Sequence, residues 1–136
     1  MLHVLLHLAR HEGSFTSEQI AGMLKTNAVV VRRTLGGLRD AGFVSSAPGP
    51  RGGWTISCDL ATITLLDIHR AVSGPQLFAI GTDHANPSCA VERVVNMAVG
   101  TAIVRAETVL AESLGSVTLA DLAARFDALC SRAENQ

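Results

Sequence analysis

The chain has 136 residues; 48% are hydrophobic and only 4% aromatic, with no tyrosine, so it suits one domain, or a small domain with an extension, built on aliphatic side chains. Its net charge is −1, but residues 1–57 carry six basic groups against three acidic ones, while residues 58–136 carry five against nine. The three cysteines, Cys58, Cys89 and Cys130, are odd in number and form no C-x-x-C pair, which excludes a disulfide framework or a cysteine zinc finger and fits a reducing cytoplasm. The longest apolar run, 94–104, already contains Asn96, Gly100 and Thr101 and stops at Arg105, so no membrane span is expected, and the N-terminus lacks the basic start of a signal peptide.

In chain order, Leu2, Leu5, Leu6 and Ala9 recur at helical spacing and predict a helix over 2–11, closed at Gly13. Thr16 and Gln19 form a capping box, with Phe15 and Ile20 as its hydrophobic staple, opening a short helix over Ser17–Leu24. Asn27 caps a third helix that ends before Gly42. Within it Val30, Val31, Thr34, Leu35 and Leu38 share one face, leaving Val29, Arg32, Arg33 and Gly36 on the other. Residues 43–46 and 54–57 then read as two strands around a Pro- and Gly-rich loop holding Arg51. Thr64 and Asp67, stapled by Ile63 and Ile68, start a fourth helix ending before Gly74. After an irregular stretch over 75–86, Asn86 and Pro87 open a long helix closed by Gly115, and Thr118 and Asp121 begin the last.

Three short helices and a hairpin make a winged helix-turn-helix pattern, with the tight turn at Lys25-Thr26 and the third helix suited to the DNA major groove. Duplex binding needs donors on the outward face of that helix and a basic loop able to follow the backbone. The residues expected to face double-stranded DNA are Ser17, Thr26, Asn27, Val29, Arg32 and Arg33, with Arg51 and Gly52 from the wing.

His3, His7 and His11 stand on one helical face and could hold a metal at suitable rotamers, but they lack a carboxylate partner, so a polar face and no metal site is expected. Nothing in the chain matches a catalytic motif. Val91, Val95, Ala98, Ala102 and Val109 form an apolar stripe on the long helix that one small domain cannot cover, so a second copy is expected there, with Gly100 permitting close approach. Cys89, read as the third residue of that helix, is the sensor candidate for an oxidant or electrophile; the alternative is a residue that packs the helix start.

The segments Phe15-Thr16-Ser17-Glu18-Gln19-Ile20-Ala21, Leu35-Gly36-Gly37-Leu38-Arg39-Asp40-Ala41-Gly42-Phe43-Val44, Gly49-Pro50-Arg51-Gly52-Gly53-Trp54 and Ile63-Thr64-Leu65-Leu66-Asp67-Ile68 together resemble the Rrf2 family of bacterial transcription regulators. The closing Thr118-Leu119-Ala120-Asp121-Leu122 extends the resemblance to nearly the whole chain. It implies a mainly α fold with a small β-hairpin: a winged-helix DNA-binding domain over 1–74, an effector loop over 75–87, and dimerisation and closing helices over 88–136. It also implies a homodimer on a palindromic operator, and the reading that follows is a repressor that answers to an oxidant or small molecule.

Members of the family begin earlier, so the first helix is expected to be truncated, and many have an arginine where this chain has Pro48. Those that hold an iron–sulfur cluster carry further cysteines; here only Cys89 remains, with Asp83 and Glu92 at neighbouring ligand positions, so the chain resembles the cluster-free branch and no cofactor is expected. The changes at the wing and the N-terminus motivate an alternative function: a dimeric sensor or interaction module whose winged helix no longer binds DNA.

Overall fold

The computed structural model describes residues 1–74, 77 and 89–134. Among these, the chain runs α1 (Leu2–Arg10), α2 (Ser17–Leu24), α3 (Ala28–Asp40), β1 (Val44–Ala47), β2 (Gly53–Ile56), α4 (Leu65–Ser73), α5 (Ala90–Gly115) and α6 (Leu119–Glu134). The fold is a winged helix-turn-helix body with two further helices, mainly α with one two-stranded hairpin.

Local chemistry explains most boundaries. Both hydrogen bonds of the Thr16–Gln19 capping box form at the start of α2. Lys25 ends α2 in the left-handed conformation (φ 51°), and Thr26 N–H reaches back to the Ala21 carbonyl, which sets the turn into α3. Asn27 caps α3 by accepting from the Val29 N–H at 2.7 Å. Gly42 (φ 83°) lets Phe43 N–H return to the Leu38 carbonyl and closes the helix.

The core gathers Val4, Leu5 and Leu8 of α1, Ile20 and Ala21 of α2, Val31, Leu35 and Leu38 of α3, Val44, Trp54, Ile63, Ile68, and Leu119 of α6. Two expected faces are therefore corrected. The helix α1 turns Val4, Leu5 and Leu8 inward, whereas Leu2 is exposed and Leu6 and Ala9 are half-buried. With so many apolar residues in nine, spacing alone fits more than one stripe. In α3, Val30 lies at the edge of the buried face and is exposed. At Gly37 an added Cβ would collide with the Ala71 carbonyl, so this glycine is what lets α4 approach α3.

The hairpin pairs antiparallel in the register Val44↔Ile56, Ser45↔Thr55, Ser46↔Trp54 and Ala47↔Gly53, a strand shift of one residue from the expected 43–46 and 54–57. Phe15 and Trp54 exchange both backbone hydrogen bonds, so the segment before α2 adds a third strand-like edge. The Trp54 indole N–H donates to the Ser17 hydroxyl at 3.0 Å inside the body.

The long helix begins later and ends later than expected. Cys89 is its N-cap in extended backbone, with no cap bond from its side chain, and Ala90 is the first helical residue; Asn86 and Pro87 lie outside the described residues. Gly115 belongs to the helix and Ser116 caps it, since nothing there forces a left-handed residue. By length and mean hydropathy alone α5 passes as long and apolar enough to cross a membrane, a broader measure than its longest apolar run, but it carries Glu92, Arg93, Arg105, Glu107 and Glu112 along its length. The start of α6 is tied into the body: Leu119 N–H donates to the Ile63 carbonyl, and Leu65 N–H to the Val117 carbonyl. Further along, Arg10 pairs with Asp127 and lies over the Phe126 ring.

Candidate nucleic-acid interface

The outward side of α3 carries Val29, 62% exposed, with Arg32 and Arg33, both exposed. This face is fixed from behind, because Val31, Leu35 and Leu38 are pinned in the core one turn apart. At Gly36 an added Cβ would meet nothing, so the backbone one turn beyond Arg32 and Arg33 is open to a close surface. Thr26 and Asn27 are exposed at the start of the helix, where free N–H groups favour anions, although the Asn27 carbonyl oxygen is committed to its cap.

The two arginines differ. Arg32 Nη1 donates to Glu18 Oε1 at 2.9 Å, while Arg33 forms no ion pair among the described residues. The backbone N–H of Glu18 and then the Arg32 guanidinium hold the Glu18 carboxyl below its ordinary value.

The wing spans residues 48–52. Gly49 (φ 99°) and the bond from Gly52 N–H to the Gly49 carbonyl form its turn, and Arg51 is exposed on it. The Ser14 hydroxyl donates to the Arg51 and Gly52 carbonyls, which ties the wing to the segment entering α2.

Two residues of the expected set are placed differently. Ser17 is buried, with its hydroxyl occupied by Trp54. Gly52 is half-buried where an added Cβ would strike the Ala47 carbonyl, so its lack of a side chain serves the hairpin's own backbone. Sequence reading missed Glu18, whose pairing with Arg32 crosses from one helix to the next and leaves no periodic signal.

The thiols are dispersed. Cys58 donates to the Phe43 carbonyl at 3.1 Å and burial pushes its pKa up, whereas Cys89 is exposed at the head of α5 and Cys130 is exposed on α6. His3 and His7 of α1 and His11 at its C-cap do line up, with successive ring centroids 4.6 and 6.1 Å apart.

Among known proteins, the family described as Rrf2, iron-dependent transcriptional regulator, matches residues 1–125. YwnA of Bacillus subtilis (strain 168), an HTH-type transcriptional regulator by assignment, is 32% identical over 122 residues, covering 89% of this chain and 90% of its own. A crystal structure of a transcriptional regulator from Lactobacillus plantarum superposes with a TM-score of 0.77 at 21% identity, over 99% of this chain and 95% of that one, a likeness of fold. CymR, the global cysteine regulator of B. subtilis, superposes at 0.64 with 27% identity, over 91% and 90% of the two chains.

The family description raises iron. Among the described residues no three His, Cys, Asp or Glu side chains come together to hold a metal, and Cys89 is the lone thiol at the head of α5. A cluster is held by several thiolates, so this donor set does not fit one. What the chain does share with these regulators is the fold, which superposes on CymR over 91% of this chain. With a family match over nearly its whole length, the chain belongs to the Rrf2 family and is a DNA-binding transcription regulator, not an enzyme.

Proposed function

We propose that the protein is a homodimeric repressor that places two copies of α3 and two wings on a palindromic operator. The observation that carries this reading is the surface of α5. None of its 26 residues is buried, although it carries Val91, Val94, Val95, Met97, Val104 and Val109 in the open, Val91 at 71% exposure. Its half-covered residues, Glu92, Asn96, Gly100, Ile103, Glu107, Leu110, Ala111, Leu114 and Gly115, form one stripe, and α4 packs on this helix. Val91, Val95, Ala98, Ala102 and Val109 lie on the side turned away and are all exposed. At about 1.5 Å per residue the helix is about 39 Å long, enough to build a dimer interface of standard area. Glu92, Arg93, Arg105, Glu107 and Glu112 are spread along it, which favours a partner helix over lipid.

In this reading Arg32 and Arg33 enter the major groove with Val29 beside them, and Thr26, Asn27 and Arg51 follow the backbone. Two-fold symmetry of the protein requires a matching symmetry of the site. The signal enters at the head of α5, where exposed Cys89 precedes the first helical turn, either as thiol modification or as a small molecule bound beside it. The expected effector loop, 75–87, lies almost wholly outside the described residues.

The test is a footprint of the purified protein on the DNA upstream of its own gene, at several salt concentrations and with and without oxidant. The expected result is a symmetric protected site bound by a dimer, with affinity falling steeply as salt rises. A monomer in solution would overturn the dimeric reading. Absence of salt-dependent binding to any duplex would favour the sensor or interaction module.

A further inference from the structure

Glu18 stands in the first turn of α2, two residues beyond the Thr16 cap, and reaches across the helix-turn-helix to α3. Both partners of the Glu18–Arg32 pair are open to solvent, with side chains 69% and 51% exposed. An exposed pair of this kind contributes little to folding stability, so its consequence lies elsewhere. Arginine presents five N–H donors in a rigid planar fork, and the hydrogen bond to Glu18 comes from Nη1. The Nη2 and Nε edges of the fork make no other hydrogen bond among the described residues and keep enough donors for the paired acceptors, O6 and N7, that guanine offers in the major groove.

We infer that Glu18 is a positioning residue: its carboxylate fixes the plane of the Arg32 guanidinium so that it reads one base pair in each half-site. Two physical effects follow. An arginine held at one end loses less rotamer freedom when it docks on a base, which favours the matching sequence. A guanidinium held by this carboxylate also offers less free charge to phosphates, which weakens binding where no base contact compensates. Both effects act on discrimination between sequences. This inference rests on the reading of α3 as the helix that enters the groove.

The experiment uses the full chain and a pool of random duplexes long enough for two half-sites. The wild type first selects a sequence from the pool; affinities are then measured for that duplex and for a shuffled duplex of equal composition. For Glu18→Gln the ratio of the two affinities should fall about tenfold, within the range of one bidentate base contact. Repeat selection with this variant should lose preference at one position per half-site. In an Arg32→Ala background, Glu18→Gln should leave the ratio unchanged, because the residue it positions is gone.

An unaltered ratio in Glu18→Gln would overturn the proposal, as would the same tenfold change in the Arg32→Ala background, which would mean that the charge acts without Arg32. Enrichment of no sequence by the wild type would remove the reading of α3 itself, and the inference with it. Thermal unfolding of Glu18→Gln, expected to match wild type because the site is exposed, separates loss of fold from loss of discrimination.

Discussion

The winged-helix body and the helix α5 solve the same problem in opposite ways. In the body, residues scattered from Val4 to Leu119 bury their apolar groups against one another, and the described buried polar side chains all find partners. In α5, 26 residues form a regular helix without burying one of them. A helix in water draws most of its stability from packing, so a long one that leaves valines in solvent is what supports the proposed dimer. In the proposed assembly the body is complete in one chain, and α5 is completed by a second copy.

The largest expected effect separates these two regions by their response to protein concentration. Leu35 is fully buried at the centre of α3, and Leu35→Ala should lower stability by about 2–5 kcal/mol. That loss should be present at every protein concentration. Val95→Asp, on the open side of α5, should instead abolish the dimer and remove the concentration dependence of the melting temperature. Sedimentation and melting curves at two dilutions decide the matter: a Val95→Asp protein that stays dimeric would place the interface elsewhere.

Next in size is the contact that holds the wing to the helices. Trp54 and Ser17 are both buried, and Ser17→Ala leaves the indole N–H without its acceptor at a cost of about 1–3 kcal/mol. Because β2 also pairs with Phe15, the wing should loosen together with the entry to α2. Hydrogen exchange should show faster opening at residues 53–56 while α5 is unchanged. Equal acceleration in both regions would break the contrast between them.

How much of this was legible depended on the range of the interaction that decides each feature. Capping boxes involve residues three apart, so the starts of α2, α4 and α6 could be read from Thr16–Gln19, Thr64–Asp67 and Thr118–Asp121. The buried face of α1 could not, because the shared core, with Trp54 of β2 among its members, selects Val4, Leu5 and Leu8 from among several apolar candidates. The Trp54–Ser17 bond spans 37 positions and the Arg32–Glu18 pair spans 14, and no spacing rule announces either. Ser17 illustrates the consequence: it is expected among the residues facing DNA, but the fold gives its hydroxyl to an indole. Cys89 shows the local counterpart, since a thiol makes a poor cap and only the backbone reveals that the helix starts after it.

A smaller effect belongs to the wing. Arg51 is exposed with its carbonyl held by Ser14, so its side chain is free to follow the DNA backbone. Arg51→Ala should weaken binding to all duplexes alike and reduce the salt slope by about one unit. A wild-type slope would mean that Arg51 faces away from the duplex.

The smallest effect concerns acid, and it tests where the body ends. Asp67 caps α4 by accepting from the backbone N–H and hydroxyl of Thr64, and Asp121 does the same for α6 through Thr118. The two caps sit side by side, because Thr64 and Thr118 lie opposite each other in a backbone bridge. The Thr64 hydroxyl and then its N–H hold the Asp67 carboxyl below its usual 3.8, and the Thr118 N–H and then its hydroxyl do so for Asp121. Each folded value is depressed, so each carboxylate stabilises the fold above 3.8, and that contribution fades as pH falls through the lower folded values. The melting temperature should be insensitive to these groups near neutrality and decline below about pH 4. In Asp67→Asn the stability at neutral pH should be lower and the acid decline shallower, because an amide accepts without charge and does not titrate. If the start of α6 belongs to the body, hydrogen exchange of Leu119 and Ile68 should rise together in acid. Release of Leu119 alone would place α6 with α5, on the incomplete side of the molecule.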